Sequence, residues 1–270
     1  FHQYLEDENR MVKHVNSFQR WNPQIQFTTS EELSKNISFY MWTKRTMRAP
    51  SFNEMYYSQI GNISLVPEDS WQFNLGLIFN KQLRTTPVNL KINGYYNHVT
   101  NKIIAVPTQN LFIWSIANIG EVEVKGIDAE AQLFHEFNSA SKIQWRGNLT
   151  YQEVFDVTDE TSPTFRHQII YTPKWTSSNT FSFYFQDISV HQTTYFVGER
   201  YSLSQNIPAN RLDPFLLFDA SIEYKLAVRK EHVLKFQGGI RNITNSSYAY
   251  IRNFVMPGRN YFIKLIYALH

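Results

Sequence analysis

The sequence lacks cysteine, and it lacks any long apolar run. With no cysteine among its 270 residues, the chain has neither a disulfide framework nor thiolate metal ligands. No apolar stretch approaches the roughly 18 residues that a transmembrane helix requires. The formal net charge of +3 is too small to indicate a nucleic-acid-binding protein. A helical membrane protein, a disulfide-rich scaffold and a nucleic-acid binder are therefore all disfavoured.

Motifs for catalysis and for cofactor binding are also missing. The sequence contains no Gly-x-Ser-x-Gly elbow, no phosphate-binding loop and no dinucleotide fingerprint. Its eight histidines show no metal-ligand spacing. We therefore expect no enzyme, no metal centre and no cofactor.

Aromatic residues and period-two alternation are what the sequence does contain. Aromatic residues make up 16% of the chain. In the clearest stretch, Trp71, Phe73 and Leu75 alternate with polar Gln72 and Asn74, as in a strand with one apolar face. Residues 1–21 show no clean period and are predicted to be loop. The remaining alternation predicts about eleven strands, at residues 22–30, 37–47, 70–80, 88–104, 122–135, 142–155, 174–185, 188–200, 216–226, 232–243 and 260–269.

The connections between these strands alternate between short and long. The short ones are residues 31–36, 81–87, 137–141, 186–187 and 227–231. The long ones are residues 48–69, 105–121, 156–173, 201–215 and 244–259. Antiparallel strands that cross a bilayer produce this parity, because short turns collect at one membrane face and long loops at the other. A soluble β-sandwich with Greek-key connections has no such parity.

Charge falls on one face of the predicted strands. The opposite face is nearly free of charge, as expected where it meets lipid, since a lysine or arginine at the bilayer midplane costs about 2–4 kcal/mol. Together with the strand length, this favours a transmembrane β-barrel over the alternative, a soluble β-sandwich binding module. The charged positions are Lys91, Glu130, Lys142, Arg146, Glu223, Lys225, Lys235 and Arg241.

Four short boxes, taken in order, resemble the TonB-dependent receptors of the Gram-negative outer membrane. The first is Arg48-Ala49-Pro50 followed by Gly61-Asn62 and Pro67-Glu68, with Ile63 where that family usually has proline. The others are Asn118-Ile119-Gly120 followed by residues 126–130, then residues 241–248, then Pro257-Gly258-Arg259. The chain departs from the family at its end, where His270 replaces the usual terminal aromatic residue.

The resemblance implies a fold, a location and partners. It implies an all-β, antiparallel transmembrane barrel in which residues 22–270 form the C-terminal half of a plugged barrel of about 22 strands. Residues 1–21 would belong to an extracellular loop. The implied partners are the N-terminal half with its plug, the TonB complex acting through that half, outer-membrane lipid and a surface lipoprotein.

The implied function is uptake of a metal complex or a vitamin, of the siderophore, cobalamin or haem class. A non-transporting surface receptor barrel is the remaining alternative. Haem is disfavoured because the haem receptors of the family carry a histidine between the Arg-Ala-Pro and Gly-Asn segments of the first box, and residues 51–60 contain none. We expect ligand contacts from the outer loops, with these candidates: Arg48, Tyr56, Tyr57, Trp114, Tyr201 and Tyr250.

Overall fold

The computed structural model describes residues 2–7, 12–17, 20–29, 35–58, 60–107, 114–229 and 232–269. Within these residues, fifteen strands are found. The first eight are β1 (His2–Asp7), β2 (Val12–Ser17), β3 (Gln24–Thr28), β4 (Ile37–Arg48), β5 (Glu68–Leu83), β6 (Thr86–Pro107), β7 (Trp114–Glu136) and β8 (Ser141–Asp156). The others are β9 (Trp175–Phe185), β10 (Ile188–Val197), β11 (Arg200–Tyr201), β12 (Arg211–Leu212), β13 (Phe215–Arg229), β14 (His232–Arg241) and β15 (Asn260–Leu269).

Eleven of these strands form one antiparallel sheet, in the order β15-β14-β13-β10-β9-β8-β7-β6-β5-β4-β3. Each strand pairs with its neighbour in the chain, except that β10 pairs with β13 because β11 and β12 form a small sheet of their own between them. The sheet is open, with β3 and β15 as its edges. The predicted number of strands and their antiparallel order are therefore confirmed.

The two faces of this sheet differ as the alternation predicts. Large apolar side chains stand exposed on one face, which we call the apolar face; Leu75 is 61% exposed and Ile263 is 93% exposed. The charged positions share the opposite, polar face, where Lys235 Nζ lies 3.5 Å from Glu223 Oε1. Trp42, which interrupts the alternation in the sequence, lies on the polar face with Lys44 Nζ 4.8 Å from its ring centroid. No second sheet packs on the apolar face among the described residues.

One short turn is tighter than predicted, and the turn at 186–187 has the predicted length. β5 continues to Leu83 and β6 begins at Thr86, so the turn predicted at 81–87 is two residues long. Arg84 in that turn has φ 53°, and Gln186 in the two-residue turn after β9 has φ 52°, the left-handed conformation that tight hairpins require. Parts of the turns predicted at 31–36 and 227–231 lie outside the described residues.

Three predictions about the remaining segments are wrong. Residues 1–21 were expected to be loop throughout, yet β1 and β2 pair along their length, from His2 opposite Ser17 to Asp7 opposite Val12. Residues 105–121 were expected to connect two strands, but most of them extend β6 and β7, which remain paired as far as Pro107 and Trp114; residues 108–113 lie outside the described residues. The extracellular placement of residues 1–21 stays a prediction.

The third error concerns helix. None was predicted, but the β4–β5 loop contains a short helix, α1 (Phe52–Tyr56), and a single 3-10 turn covers Pro208–Asn210. Because α1 has only one turn, it leaves almost no periodic signal in the sequence. No helix in the described part of the chain is long and apolar enough to cross a membrane.

A charge introduced on the apolar face tests its environment. We expect Leu75→Arg in the full-length protein to lower the free energy of unfolding in lipid vesicles by about 2–4 kcal/mol, because the side chain would enter hydrocarbon. The control is Asn89→Arg on the polar face, which should change it by less than about 1 kcal/mol. Denaturant titrations followed by tryptophan fluorescence measure both. Equal losses for the two variants would contradict a lipid-facing apolar face.

Candidate functional site

The long loop between β4 and β5 is folded around a small apolar core. Ser51 caps α1 in a capping box: Glu54 N donates to Ser51 Oγ at 3.3 Å, and Ser51 N donates to Glu54 Oε2 at 2.7 Å. The helix buries Met55, which is 1% exposed and clusters with Leu65 of the same loop. Ile103 and Ile116, from β6 and β7, complete the cluster. The loop is thereby packed against the β6–β7 pair.

Gly61 and Asn62 of the first box attach the loop to that pair of strands. A Cβ on Gly61 would lie 2.6 Å from the backbone nitrogen of Tyr57, so no larger residue fits at this turn. Asn62 Nδ2 donates to the carbonyl of Ile116 at 3.0 Å. Asn118, from the second box, binds both backbone groups of Val66 at 2.9 and 3.0 Å. These residues of the two boxes are therefore parts of one loop anchorage.

A buried carboxylate connects the ends of this loop. Glu68, only 6% exposed, accepts from both Arg48 Nη2 at 2.8 Å and Arg48 Nε at 3.0 Å. Its Oε1 also accepts from the backbone nitrogen of Ile103 at 2.8 Å and lies 3.2 Å from Lys102 Nζ. Two cations and a backbone donor thus compensate one buried charge, which such a group requires.

Arg48 also reaches into α1. Its Nη1 donates to Glu54 at 3.0 Å. Burial alone would raise the pKa of Glu54, but the hydrogen bonds from Ser51 and Arg48 outweigh it, and the pKa lies below its usual value. Arg48 therefore has a structural role, joining the start of the loop to its helix and to its end. Its predicted ligand contact stays a prediction.

A second anchorage holds the loops after β10 and β14. Arg200 is 2% exposed and donates to the carbonyls of Gly198, Asp213 and Tyr250 at 3.3–3.4 Å and to that of Ala249. Its guanidinium carbon lies 5.3 Å from the ring centroid of Phe215. No carboxylate accompanies it among the described residues, and burial lowers its pKa. Carbonyl dipoles and an aromatic face take the place of an ion-pair partner.

Beside the first anchorage lies a cleft of about 640 Å³ that extends to Ile251 of the β14–β15 loop, and it is the candidate binding site. Arg48, Glu68 and Lys102 stand at its charged end, and most of its wall is apolar. The rings of Trp114 and Tyr171 lie 5.9 Å apart at its rim. Apolar residues of the wall include Val99, Ile104, Val122, Val154, Ile170 and Ile251. Such a volume and lining suit a ligand of drug-like size or part of a larger one.

The structure places only two of the six predicted ligand-contacting residues in this cleft, Arg48 and Trp114. Tyr56 packs against the apolar core of its own loop, while Tyr57 is 53% exposed outside the cleft. Tyr201 accepts a backbone hydrogen bond from Tyr171 N at 2.8 Å, and the ring of Tyr250 lies against Phe215 at 5.2 Å.

Sequence reasoning missed Tyr171 and Lys102. Tyr171 lies in the polar loop between β8 and β9, where nothing periodic distinguishes one aromatic residue from another. Burial raises the pKa of its hydroxyl. Lys102 was assigned to an ordinary strand position, and only the fold brings it to Glu68.

An open antiparallel sheet with an exposed apolar face and a charged face, bearing folded loops at one end, is part of the wall of a transmembrane β-barrel. The family model "TonB dependent receptor-like, beta-barrel" matches residues 5–243, and the chain belongs to this family. It is accordingly an outer-membrane chain. The sandwich alternative is disfavoured by the same findings.

Particular relatives are named as transporters and receptors. The chain is 24% identical over 268 residues to the vitamin B12 transporter BtuB of Vibrio vulnificus, covering 97% of this chain and 38% of the relative. It is 21% identical to BtuB of Photobacterium profundum, covering 91% of this chain and 38% of the relative. The chain thus spans about two fifths of the curated relatives it matches.

Solved structures show the same fold. The copper transporter OprC superposes with a TM-score of 0.70 at 14% identity, over 97% of this chain and 42% of that one. The ferric preacinetobactin receptor BauA from Acinetobacter baumannii does so with a TM-score of 0.65 at 17% identity, over 96% of this chain and 38% of that one. At these identities the likeness concerns the fold alone.

Removing the buried carboxylate tests the first anchorage. We expect Glu68→Ala to release the β4–β5 loop, because Arg48, Lys102 and the backbone nitrogen of Ile103 lose their shared acceptor. Loss of charge-assisted hydrogen bonds costs about 1.5–3 kcal/mol, or a factor of about ten to one hundred in the local opening equilibrium. Limited proteolysis within residues 49–67 of the full-length receptor should accelerate accordingly. The control is Asp213→Ala, which removes the exposed Arg211–Asp213 ion pair and should leave cleavage of this loop unchanged. An unchanged rate in Glu68→Ala would contradict the anchorage.

Proposed function

We propose that this chain is the C-terminal barrel part of a TonB-dependent uptake receptor that imports a metal complex or a vitamin across the outer membrane. The chain would supply part of the barrel wall and the outer loops that contact the ligand. The observation that carries the proposal is the mostly apolar cleft beside the Arg48–Glu68–Lys102 cluster, in a chain of this receptor family. Fixed loops around a cleft are what selective capture of a dilute ligand requires.

Cobalamin is the ligand class that we place first. The two curated relatives described above are named vitamin B12 transporters. The cleft supports the choice, because its wall is mostly apolar and its cations Arg48 and Lys102 are held by Glu68. A strongly anionic ligand would call for cations without carboxylate partners. A ferric siderophore is the second class, and BauA, which shares the fold, is named a ferric preacinetobactin receptor.

The partners follow from the open edges of the sheet. Strands β3 and β15 each have one unpaired side within the described residues, and an edge within a bilayer must be paired. We propose that the remaining part of the receptor, with its plug, closes the barrel there and connects it to the TonB complex. A surface lipoprotein that delivers ligand to the loops is a further proposed partner. A non-transporting surface barrel remains the second candidate function.

The ligand proposal is tested by titrating the full-length receptor in detergent with cyanocobalamin, haemin and a panel of ferric siderophores. We expect cyanocobalamin to bind tightest. Trp114→Ala and Tyr171→Ala should each raise Kd about tenfold, a loss of about 1.4 kcal/mol of aromatic contact. Phe254→Ala, which alters an exposed outer-loop aromatic residue outside the cleft, is the control and should leave Kd unchanged. If Trp114→Ala and Tyr171→Ala left Kd as unchanged as Phe254→Ala does, this cleft would be excluded as the ligand-binding site.

Uptake separates a transporter from a non-transporting barrel. Cells expressing the receptor should accumulate labelled cyanocobalamin, and a deletion of TonB should abolish accumulation but not surface binding. Binding without TonB-dependent accumulation would support the second candidate function instead.

A further inference from the structure

The wall of the cleft carries uncharged polar side chains next to its charged end. We call them the polar strip, which consists of Thr46 on β4, Ser70 and Gln72 on β5, and Asn97 on β6, all of which line the cleft. Ser70 is two residues from Glu68 on β5, so both side chains belong to the same face of the sheet. The polar strip therefore continues directly from the charged end of the cleft.

Strand pairing brings these four side chains together. Ser70 is the direct cross-strand partner of Thr46, and Gln72 is the direct cross-strand partner of Asn97. Directly opposed residues on one face of an antiparallel pair have Cβ atoms about 4.5–5.5 Å apart. Ser70 and Gln72 are successive residues of the same face of β5. The polar strip is thus one contiguous surface on three neighbouring strands.

The side chains of the polar strip make no hydrogen bond to any described residue. Ser70 is the clearest case, because it is only 7% exposed and its Oγ is buried without a partner, which is unfavourable for a hydroxyl. Gln72 and Asn97 are half-buried. Their carboxamides are not hydrogen-bonded to each other, although each can both donate and accept. The wall of the cleft therefore offers donors and acceptors that this chain does not satisfy itself.

The apolar neighbours of the polar strip cannot satisfy it. Ser70 is paired on its other side with Val99, and Asn97 is paired with Val124; both valines line the cleft.

The cations near the polar strip are already engaged. Arg48 and Lys102 are held by Glu68. Lys44, the other cross-strand neighbour of Gln72, is not part of the cleft lining, and its Nζ lies 4.8 Å from the ring centroid of Trp42. A carboxylate or phosphate bound here would lack the free cation that it requires. A carboxamide is uncharged and both donates and accepts, so it matches Gln72 and Asn97 in both respects.

We propose that the polar strip binds carboxamide groups of the ligand, with Ser70, Gln72 and Asn97 as the residues that recognise them. The valines beside the strip then contact hydrocarbon parts of the same ligand. This inference rests on the proposed function, because it assigns the chemistry by which the cleft selects its ligand. It fits the cobalamin class, since the corrin ring of cobalamin carries primary amides on its periphery.

Paired substitutions on β5 and β6 test the polar strip in the full-length receptor. Gln72→Met combined with Asn97→Leu removes both carboxamides and nearly preserves side-chain shape, and we expect Kd for cyanocobalamin to rise about tenfold. The matched control is Asn80→Leu combined with Asn89→Leu, which removes another directly opposed carboxamide pair from the same face of the same two strands, outside the cleft. The control should leave Kd unchanged, and heat-modifiable migration on gels shows that each variant folds.

Ser70→Ala provides an independent measurement. Removal of a buried hydroxyl without a partner should not lower the free energy of unfolding of the free receptor. Removal of a hydrogen bond to the ligand should raise Kd for cyanocobalamin about tenfold. An unchanged Kd would overturn the role of Ser70.

Ligands that differ in one amide test what the polar strip recognises. In the isomeric monocarboxylic acids of cyanocobalamin, a single peripheral amide is replaced by a carboxylate. We expect at least one isomer to bind the unsubstituted receptor about tenfold more weakly than cyanocobalamin, because a carboxylate cannot donate to the carbonyl oxygens of Gln72 and Asn97. This difference should disappear in Gln72→Met combined with Asn97→Leu.

The results separate this inference from the proposed function. If the unsubstituted receptor failed to bind cyanocobalamin, the cobalamin proposal would be wrong and this inference with it. If it bound cyanocobalamin and the strip variant had the same Kd as the control, only the inference would be overturned, and a loss of stability in that variant would assign the strip to the remaining part of the receptor. An equal loss of affinity for cyanocobalamin and for every monocarboxylic acid would also overturn amide recognition.

Discussion

Backbone hydrogen bonding in a membrane is the constraint on which the rest of this structure depends. Hydrocarbon offers no partner to an amide or a carbonyl, so every strand that crosses it must be paired on both sides. The eleven-stranded sheet satisfies this for its nine inner strands through neighbouring antiparallel pairing. Because the backbone is paired on both sides, the two faces of the sheet differ only in their side chains, which are apolar on one face and polar on the other. This difference produces the period-two alternation in the sequence.

The outer loops are subject to a different constraint, because they must hold a shape without a ladder of neighbouring strands. They do so through two buried groups of opposite charge. Glu68 binds Arg48, Lys102 and the backbone nitrogen of Ile103. Arg200 donates hydrogen bonds to four carbonyls and lies over an aromatic ring. In each case one charged side chain fixes segments that are distant in sequence. The cleft lies beside Glu68 and reaches Ile251 of the β14–β15 loop.

Local patterns predicted the membrane-crossing part of the fold well, because period-two alternation is a property of each strand alone. They failed where β6 and β7 continue, still paired, to Pro107 and Trp114. Near Asn101, which has φ 54°, charged residues such as Lys102 and Glu121 replace the alternation, and residues 105–121 were mistaken for a connection. The single turn of α1 was missed, although Ser51 and Glu54 have the spacing of a capping box, a signal that was available.

The candidate site was less predictable for a physical reason. Arg48 and Trp114 could be chosen because they stand beside recognisable boxes or in a predicted loop. Tyr171 could not, because its position beside Trp114 depends on how the β8–β9 loop folds over the sheet. The partners of Arg200 are backbone carbonyls, which carry no sequence signature. The family boxes, by contrast, proved to mark loop anchorages through Gly61, Asn62 and Asn118.

The central claim is that one face of this sheet contacts lipid and the other lines a lumen. Spin labels placed singly along β7, at residues 127–133, test it most directly through their accessibility to oxygen and to a water-soluble nickel chelate. The account predicts a period of two, with oxygen favoured at Ile127, Ala129, Ala131 and Leu133 and the chelate favoured at the residues between them. Uniform accessibility to the chelate along the strand would contradict it.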